Sequence, residues 1–179
     1  MKRRHLGFTL IELMVTVAIV VVLTSLAVPS FRTMLVKRAV VAAAETLVSD
    51  MRYARSEALK RTTPVSICQS TDGASCSATA GAWKSGWIVF IDSSGDGALD
   101  AGDEIIRVQQ GFNSIQSIAS GSGSDKVAFT YQVTGLAKAS TQTFIFTPTG
   151  TVPLNGTRLV CISMQGRPAL RAQGASSCT

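Results

Sequence analysis

One carboxylate lies within a long apolar stretch near the start of the chain. Glu12 is the only charged residue in positions 8–28. As an α-helix, with a rise of about 1.5 Å per residue, this stretch is roughly 30 Å long, which matches the hydrocarbon thickness of a bilayer. A lone carboxylate there costs roughly 2–3 kcal/mol or more. The chemistry that this position favours is therefore pairing with a cation.

Three basic residues, Lys2, Arg3 and Arg4, precede the apolar stretch. Positive charges of this kind are retained in the cytoplasm while the chain beyond the span is exported. The sequence therefore predicts one membrane-spanning helix over residues 8–28, with the rest of the chain outside the cytoplasm. The alternatives are an ordinary signal peptide cleaved after Ala27 and a plain membrane anchor. Neither alternative explains a glutamate in lipid.

A short basic leader, residues 1–7, ends in Gly7, and it is followed directly by Phe8-Thr9-Leu10-Ile11-Glu12. It resembles the N-termini of type IV pilins and of type II secretion pseudopilins. The resemblance implies that a prepilin peptidase cuts after Gly7 and methylates the new amino group of Phe8. It also implies that Glu12 meets the N-terminal amine of an assembling neighbour, which is the cation that the apolar setting requires.

Helical periodicity continues beyond Pro29, which predicts a kink in the helix rather than its end. Apolar residues recur at steps of three or four, and they are Leu35, Ala39, Ala43, Leu47, Met51, Ala54 and Ala58. Most charged residues lie off this stripe, and we expect a solvated face made of Lys37, Arg38, Glu45, Asp50, Arg52, Arg55, Glu57 and Lys60. Glu57 and Arg61 have the i,i+4 spacing of a favourable ion pair. An amphipathic continuation of the helix over residues 29–61 is therefore predicted.

After the helix, the apolar pattern changes to one typical of β-strands. The predicted strands are residues 65–69, 87–91, 105–109, 115–119, 127–131, 143–147, 158–163 and 168–171. Runs of Gly, Ser, Asp and Asn separate them and favour turns. The predicted fold class is α+β, in which a long N-terminal helix packs on a C-terminal antiparallel β-sheet or pair of sheets. The β-rich part forms one globular domain over residues 62–179.

The globular part resembles the GspH/FimT group of minor pilins. The residues that carry the resemblance are Ala54-Arg55-Ser56-Glu57-Ala58, Trp83, Gly86-Trp87, Val89-Phe90-Ile91-Asp92, the acidic turn up to Asp103, and Gly166-Arg167. The resemblance implies the pilin fold. It also implies a minor, low-abundance subunit of a filament rather than the main building block.

Four cysteines, Cys68, Cys76, Cys161 and Cys178, all follow the apolar stretch. An even number in an exported domain indicates two disulfides, for which three pairings exist. We favour Cys68–Cys76 with Cys161–Cys178, because these partners are nearest in sequence and close short loops. A metal site is disfavoured, since the spacing is not C-x-x-C and the only histidine, His5, belongs to the leader.

A run of acidic residues follows the second predicted strand. Counted from Asp92, oxygen-bearing side chains occupy positions 1, 3, 5, 9 and 12 of an EF-hand calcium loop, namely Asp92, Ser94, Asp96, Asp100 and Asp103. Gly97 takes the glycine position, but the last ligand is aspartate rather than glutamate. The favoured interpretation is a hairpin connection in which Asp and Gly serve turn geometry. Calcium is the alternative, and no other cofactor is indicated.

The sequence carries no recognisable catalytic motif. Without its leader the chain has no histidine, and it has no serine in a G-x-S-x-G setting and no phosphate-binding glycine loop. We therefore expect that the protein is not an enzyme.

Basic residues predominate towards the C-terminal end. Positions 126–179 contain five lysines and arginines and no aspartate or glutamate, an imbalance that suits phosphate binding. Some FimT-like proteins capture DNA for natural transformation through a Gly-Arg-x-Arg motif. Here Gly166-Arg167 is followed by Arg171, two positions later than the motif requires, and Arg158 is a further candidate DNA contact. A DNA receptor is therefore the second functional hypothesis.

The leading hypothesis is a minor pilin or pseudopilin that primes or caps a type IV pilus or a type II secretion pseudopilus. We expect a single-pass protein of the bacterial inner membrane with its C-terminal domain in the periplasm, which joins the filament after assembly. The expected partners are other pilins or pseudopilins, the prepilin peptidase, the inner-membrane assembly platform and the lipid bilayer, with DNA under the second hypothesis. Type IV pili and type II secretion pseudopili share these motifs, so the sequence does not show which of the two the protein serves.

Overall fold

A computed structural model of the chain describes residues 8–79, 81–121, 126–138, 142–150, 156–171, 175, 177 and 178, without the side chains of Leu26 and Pro29. The chain divides into two compact units, and the boundary lies between Leu35 and Val36. One helix contributes to both units, and all the described strands belong to the second.

The helix α1 spans Leu10–Arg61, so the predicted C-terminal end of the helix is confirmed and Pro29 does not end it. Among the described residues, α1 alone contains an 18-residue window apolar enough to cross a membrane, with a mean hydropathy of 2.5, and none of that window is buried. Lys60 and Arg61 lie in the last turn, where positive charge is favourable to the helix dipole.

The second half of α1 buries the apolar stripe that the sequence indicates. Ala43, Leu47, Met51, Ala54 and Ala58 are fully buried. These side chains recur at steps of three or four, so they lie on one face of the helix and pack against the β-rich part. Leu35, the first member of the predicted stripe, is half exposed.

Two charged residues of α1 correct the expectation of a solvated face. Asp50 and Glu57 are both buried, with 2% and 7% of their surfaces exposed. Each is retained in the interior because basic side chains pair with it, Arg107 with Asp50 and Arg61 with Glu57.

In the part of the chain that the structure describes, eight strands follow the helix, and all eight were predicted to within one residue at each end. They are β1 (Val65–Gln69), β2 (Gly86–Ile91), β3 (Ile105–Gln110), β4 (Ile115–Ser120), β5 (Ala128–Tyr131), β6 (Gln142–Pro148), β7 (Arg158–Ile162) and β8 (Pro168–Leu170). A short 3-10 helix, Ala82–Ser85, precedes β2 and was not predicted.

The strands form two four-stranded antiparallel sheets. The first sheet has the order β3-β2-β1-β5 and the second the order β4-β6-β7-β8. Strand β6 alternates buried and half-buried residues, which is the pattern of a strand with one face on the core. The predicted fold class, a long N-terminal helix on antiparallel β-structure, is therefore confirmed.

Aromatic side chains join the helix and both sheets in the larger of two buried apolar clusters. Trp83 of the 3-10 helix packs edge-on against Phe144 of the second sheet, with ring centroids 4.9 Å apart. Its indole also lies 6.5 Å from that of Trp87 in the first sheet. Leu47 and Met51 of α1 belong to the same buried cluster. Burial of such large side chains between layers supplies most of the stabilising free energy of a domain of this kind.

Both of the favoured disulfides are present in the structure. Cys68 of β1 is bonded to Cys76 in the loop that follows β1, and Cys161 of β7 is bonded to Cys178. Each bond closes a short segment of chain, of 8 and 17 residues, and so restricts the unfolded state.

Candidate functional site

The carboxylate of Glu12 takes part in a reciprocal hydrogen-bond pair at the start of α1. The Thr9 backbone N–H and the Thr9 hydroxyl both donate to Glu12 Oε2 at 2.9 Å, and the Glu12 backbone N–H donates to Thr9 Oγ1 at 3.3 Å. This is a capping box, which satisfies N–H groups that the first turn leaves unpaired. The signature Thr-x-x-Glu before an apolar run is present in the sequence and is a signal for this cap.

Capping does not neutralise the charge of Glu12. The side chain is exposed, and no ion pair to it occurs within the described part of the chain. Phe8 is also exposed, close to the start of the helix. The predicted cleavage site at Gly7 lies outside the described residues. The geometry therefore presents an exposed carboxylate at the end of an apolar helix, with room for a cationic partner.

The acidic run connects β2 and β3, which pair as an antiparallel hairpin. Asp92 is buried, and its two carboxylate oxygens accept four hydrogen bonds, from the Ser66 and Ser94 hydroxyls and from the backbone N–H groups of Gly95 and Gly97, at 2.6–3.0 Å. Gly97 has a φ of +89°, a conformation that favours glycine. Asp92 therefore organises the turn.

Two other carboxylates of the run also accept bonds from nearby backbone. Asp96 accepts from the Ala98 N–H at 2.8 Å, and Asp103 accepts from the Asp100 N–H at 3.0 Å. The Ala98 N–H and the Ser94 hydroxyl lower the pKa of Asp96, and Lys138 adds to this effect. Within the described ranges, no three or more carboxylates, cysteines or histidines converge as a metal site would require. Calcium binding stays a prediction, and it would require Asp92 to exchange its four bonds for metal contacts.

A second network joins the end of α1 to the same hairpin. Arg61 donates to Glu57 at 2.8 Å and to Glu104 at 2.7 Å, and Lys60 lies 3.7 Å from Glu57. The hydrogen bond from Arg61 is the main cause of a lowered pKa at Glu57. These contacts fix the residue before β3 to the last turn of the helix.

The three arginines proposed to contact DNA are not grouped on one patch. The β7–β8 register pairs Ile162 with Pro168 at the turn, and the Arg171 N–H bonds to Leu159 O at the other end. Arg167 is therefore at the turn, whereas Arg158 and Arg171 are about 13 Å away at the open end of the hairpin, from the rise of about 3.3 Å per residue. Arg158 Nη1 is buried, and Arg171 Nη2 donates to Cys178 O at 2.9 Å.

Arg167 is instead grouped with two arginines of the helix. Arg52, Arg55, Ser56, Leu59, Arg167 and Pro168 line an open groove of about 410 Å³, which we call the arginine groove. Arg55 Nη1 donates to Gly166 O at 3.4 Å. The sequence contained a signal for the two helix arginines of the groove. Neither Arg52 nor Arg55 has an acidic residue three or four positions away to pair with, whereas Arg61 does.

Two glycines bring backbone close to side chains beside the arginine groove. A Cβ at Gly166 would lie 3.0 Å from Tyr131 Cε1, and a Cβ at Gly135 would lie 3.1 Å from Arg55 Nε. Burial raises the pKa of Tyr131, and the charge of Arg55 offsets a smaller part of this rise. The phenol is therefore neutral at physiological pH, and it adds no negative charge beside Arg55.

Comparison with known families gives two matches to the sequence. The family model described as type II transport protein GspH matches residues 43–171, and the model described as prokaryotic N-terminal methylation motif matches residues 2–28. Together they cover the apolar stretch with its leader and most of the globular part. Comparison with curated proteins found no match.

Solved structures with the same fold include two filament proteins. The type IV minor pilin FimU of Pseudomonas aeruginosa has a TM-score of 0.57 and 23% identity, and the alignment covers 78% of this chain and 95% of FimU. The minor pseudopilin EpsH of the type II secretion system of Vibrio cholerae has a TM-score of 0.51 and 12% identity, with 74% and 96% covered. At these identities, the similarity establishes the shared fold of the three chains.

Proposed function

Because this chain belongs to the GspH family, whose model matches most of its length, we propose that it primes or caps the assembly of an envelope filament. Family and fold make it a minor pilin or pseudopilin. The filament is a type IV pilus or a type II secretion pseudopilus, since solved structures of both kinds share the fold.

The observation that carries this proposal is the exposed Glu12 at the start of an exposed apolar helix. In a bilayer, a carboxylate without a counter-charge is unfavourable by several kcal/mol. A free N-terminal amine on a neighbouring subunit would remove that cost at the moment of assembly. Cleavage after Gly7 by a prepilin peptidase, with methylation of Phe8, supplies such an amine on each subunit of the filament.

The proposed location follows from the same features. The N-terminal helix anchors the chain in the inner membrane, in a single pass that leaves the β-rich domain in the periplasm. Both disulfides support this orientation, because disulfides persist in oxidising compartments such as the periplasm. The proposed partners are other pilins or pseudopilins, the prepilin peptidase, the assembly platform and the lipid bilayer.

A priming or capping subunit should control the number of filaments rather than their structure. Deletion of the gene should reduce the count of filaments seen by electron microscopy while the cellular pool of the major subunit stays the same. Restoring the wild-type chain should restore the count. An unchanged number and length of filaments in the deletion strain would contradict the proposal. The major subunit that co-purifies with the chain identifies which machine it serves.

DNA reception is the second candidate function. The observation that favours it is Arg167, which is exposed and lies beside two further arginines in the arginine groove. The separation of Arg167 from Arg158 and Arg171 weakens the resemblance to a Gly-Arg-x-Arg motif. Assembly is therefore the preferred function, and the salt dependence of DNA binding tests the alternative.

A further inference from the structure

The arginine groove holds positive charge that the described part of the chain does not neutralise. Other charged residues of the same region are paired: Asp50 with Arg107, and Glu57 with Arg61. Within the described ranges, Arg52, Arg55 and Arg167 form no ion pair. Because Arg52 and Arg55 are three residues apart on the helix, their side chains are neighbours on one face. Three guanidinium groups therefore face a common space without a carboxylate between them.

Backbone contacts hold part of this groove in place before any ligand binds. Arg55 is half-buried, and its Nη1 already donates to Gly166 O. The backbone of Gly135 also lies close to the same side chain, since a Cβ at Gly135 would be 3.1 Å from Arg55 Nε. Arg55 is therefore partly held by the fold, so less conformational entropy is lost when a ligand binds.

The chemistry of the lining favours a carboxylate ligand on a peptide. Guanidinium groups bind carboxylates through two parallel hydrogen bonds. Leu59 and Pro168 add apolar surface beside the arginines, which suits the carbon atoms of a peptide. Single-stranded nucleic acid is usually bound through stacking on aromatic side chains, and the residues that line the groove include no aromatic side chain.

We propose that the arginine groove binds an acidic loop of an adjoining filament subunit. This chain carries a loop of that chemistry in residues 92–104, where five carboxylates occur in thirteen positions and Asp96 and Asp100 are exposed. That loop belongs to the first sheet, whereas Arg167 and Pro168 belong to the second. Groove and loop are thus different surfaces, as a head-to-tail contact along a filament requires. The identity of the partner as a filament subunit rests on the function proposed above.

The first test measures the binding of a defined acidic peptide. Full-length protein in detergent is titrated with a fluorescent peptide of residues 92–104, beside a matched peptide in which Asn and Gln replace Asp and Glu. We expect the acidic peptide alone to bind. The pair Arg52→Ala and Arg167→Ala should weaken it about tenfold or more, because each removes a charged hydrogen-bond donor pair. Arg38→Ala, an exposed arginine outside the groove, should change the affinity less than twofold, consistent with weak surface ion pairs.

Three results would overturn the proposal. They are no binding of the acidic peptide, equal binding of the amide peptide, and binding that the two groove substitutions leave unchanged. A single-stranded oligonucleotide is titrated in parallel. If it competes with the peptide and binds more tightly through the same arginines, the groove is a phosphate site and the peptide assignment is wrong.

The second test separates failure of the groove from failure of the assembly role. A benzophenone side chain is placed at Ser56, which lines the groove, or at Val22, which is exposed in the apolar segment. In cells that make filaments, Ser56 should crosslink to an Asp- and Glu-rich segment of another subunit, and Arg167→Glu should abolish that crosslink. Crosslinking at Val22 but not at Ser56 would disprove the groove inference alone. No crosslink at either position would contradict the assembly role itself.

Discussion

Trp87 of β2 donates a hydrogen bond from its indole Nε1 to Asp50 of α1, and the two atoms are 2.8 Å apart in the buried core. The other carboxylate oxygen of Asp50 accepts from Arg107 of β3 at 2.5 Å. The guanidinium of Arg107 in turn lies 4.4 Å from the centre of the Tyr53 ring. A single carboxylate thus joins the helix to two strands of the first sheet.

Removal of this carboxylate should destabilise the protein. We expect Asp50→Ala to lower the free energy of unfolding by about 2–3 kcal/mol, because it leaves the Trp87 N–H and Arg107 without their acceptor. Asp50→Asn keeps an acceptor oxygen and should cost about half as much. Denaturant unfolding of the full chain in detergent, followed by tryptophan fluorescence, measures both. Asp100→Asn, at an exposed position, is the control, and equal stability of Asp50→Ala and wild type would disprove this role.

Processing and assembly should depend on different residues. Gly7→Val should leave uncut precursor in the membrane, because a branched side chain replaces glycine at the proposed cleavage site. Glu12→Gln preserves the capping box, since glutamine serves as well as glutamate in that motif, but it removes the charge. We therefore expect Glu12→Gln to be cut normally and to be missing from sheared filaments.

Two measurements check this pair of predictions. Mass spectrometry of the mature N-terminus reports processing, and immunoblots of sheared filaments report assembly. Thr9→Val, which removes the threonine hydroxyl from the cap but keeps Glu12, should still assemble. Wild-type protein that begins at Val28 would support a signal peptide instead. Normal incorporation of Glu12→Gln into filaments would show that Glu12 serves only to cap the helix.

The two disulfides should contribute unequal stabilisation. Loop-closure entropy predicts a loss of roughly 2.5 kcal/mol when Cys68–Cys76 is removed and roughly 3 kcal/mol when Cys161–Cys178 is removed, because the second closes the longer loop. Paired substitutions by serine avoid free thiols. Unfolding curves of the two variants give the values, and peptide mapping of periplasmic protein gives the pairing. Two results would contradict this account: a disulfide between one cysteine of each pair, or a larger loss of stability when the shorter loop is opened.

Calcium should not stabilise the protein if the acidic loop serves only turn geometry. We expect the melting temperature of the full chain to be the same with added calcium and with a chelator. Asp92→Asn should lower it under both conditions, because Asp92 accepts four hydrogen bonds within the protein. A rise with calcium that Asp96→Ala and Asp100→Ala abolish would establish the metal site instead.

DNA binding should be weak and strongly dependent on salt. Each phosphate that a protein neutralises on duplex DNA contributes a slope of about −0.9 in log K against log salt. Since Arg171 is bonded to Cys178 O and Arg158 is partly buried, we expect slopes that correspond to about three phosphates or fewer, one for each arginine of the arginine groove, and no binding near physiological salt. Anisotropy titrations of wild type and of the pair Arg167→Ala, Arg171→Ala test this. Tight binding near physiological salt that the pair loses would establish a DNA receptor.

Local patterns were sufficient to predict most of the architecture. The strands and the end of α1 are determined by periodicity and by turn residues, which short stretches of sequence contain. The burial of Asp50 could not be predicted in this way, because its partners Trp87 and Arg107 are 37 and 57 positions away. Only the helix side of the arginine groove left a signal in the sequence, since Arg52 and Arg55 lack acidic neighbours on the helix. The place of Arg167 beside them depends on how the β7–β8 turn packs, which no local pattern specifies.

The buried stripe on α1 also determines how the domain responds to mechanical force. Ala43, Leu47, Met51, Ala54 and Ala58 contact the β-rich part along four turns of helix. A force along the helix axis therefore loads all of these contacts at once, so they must break together. A pull on an edge strand such as β8 would instead open its few hydrogen bonds in succession. Because forced unfolding is governed by the rate of unfolding, we expect a filament subunit of this design to resist axial tension better than it resists peeling.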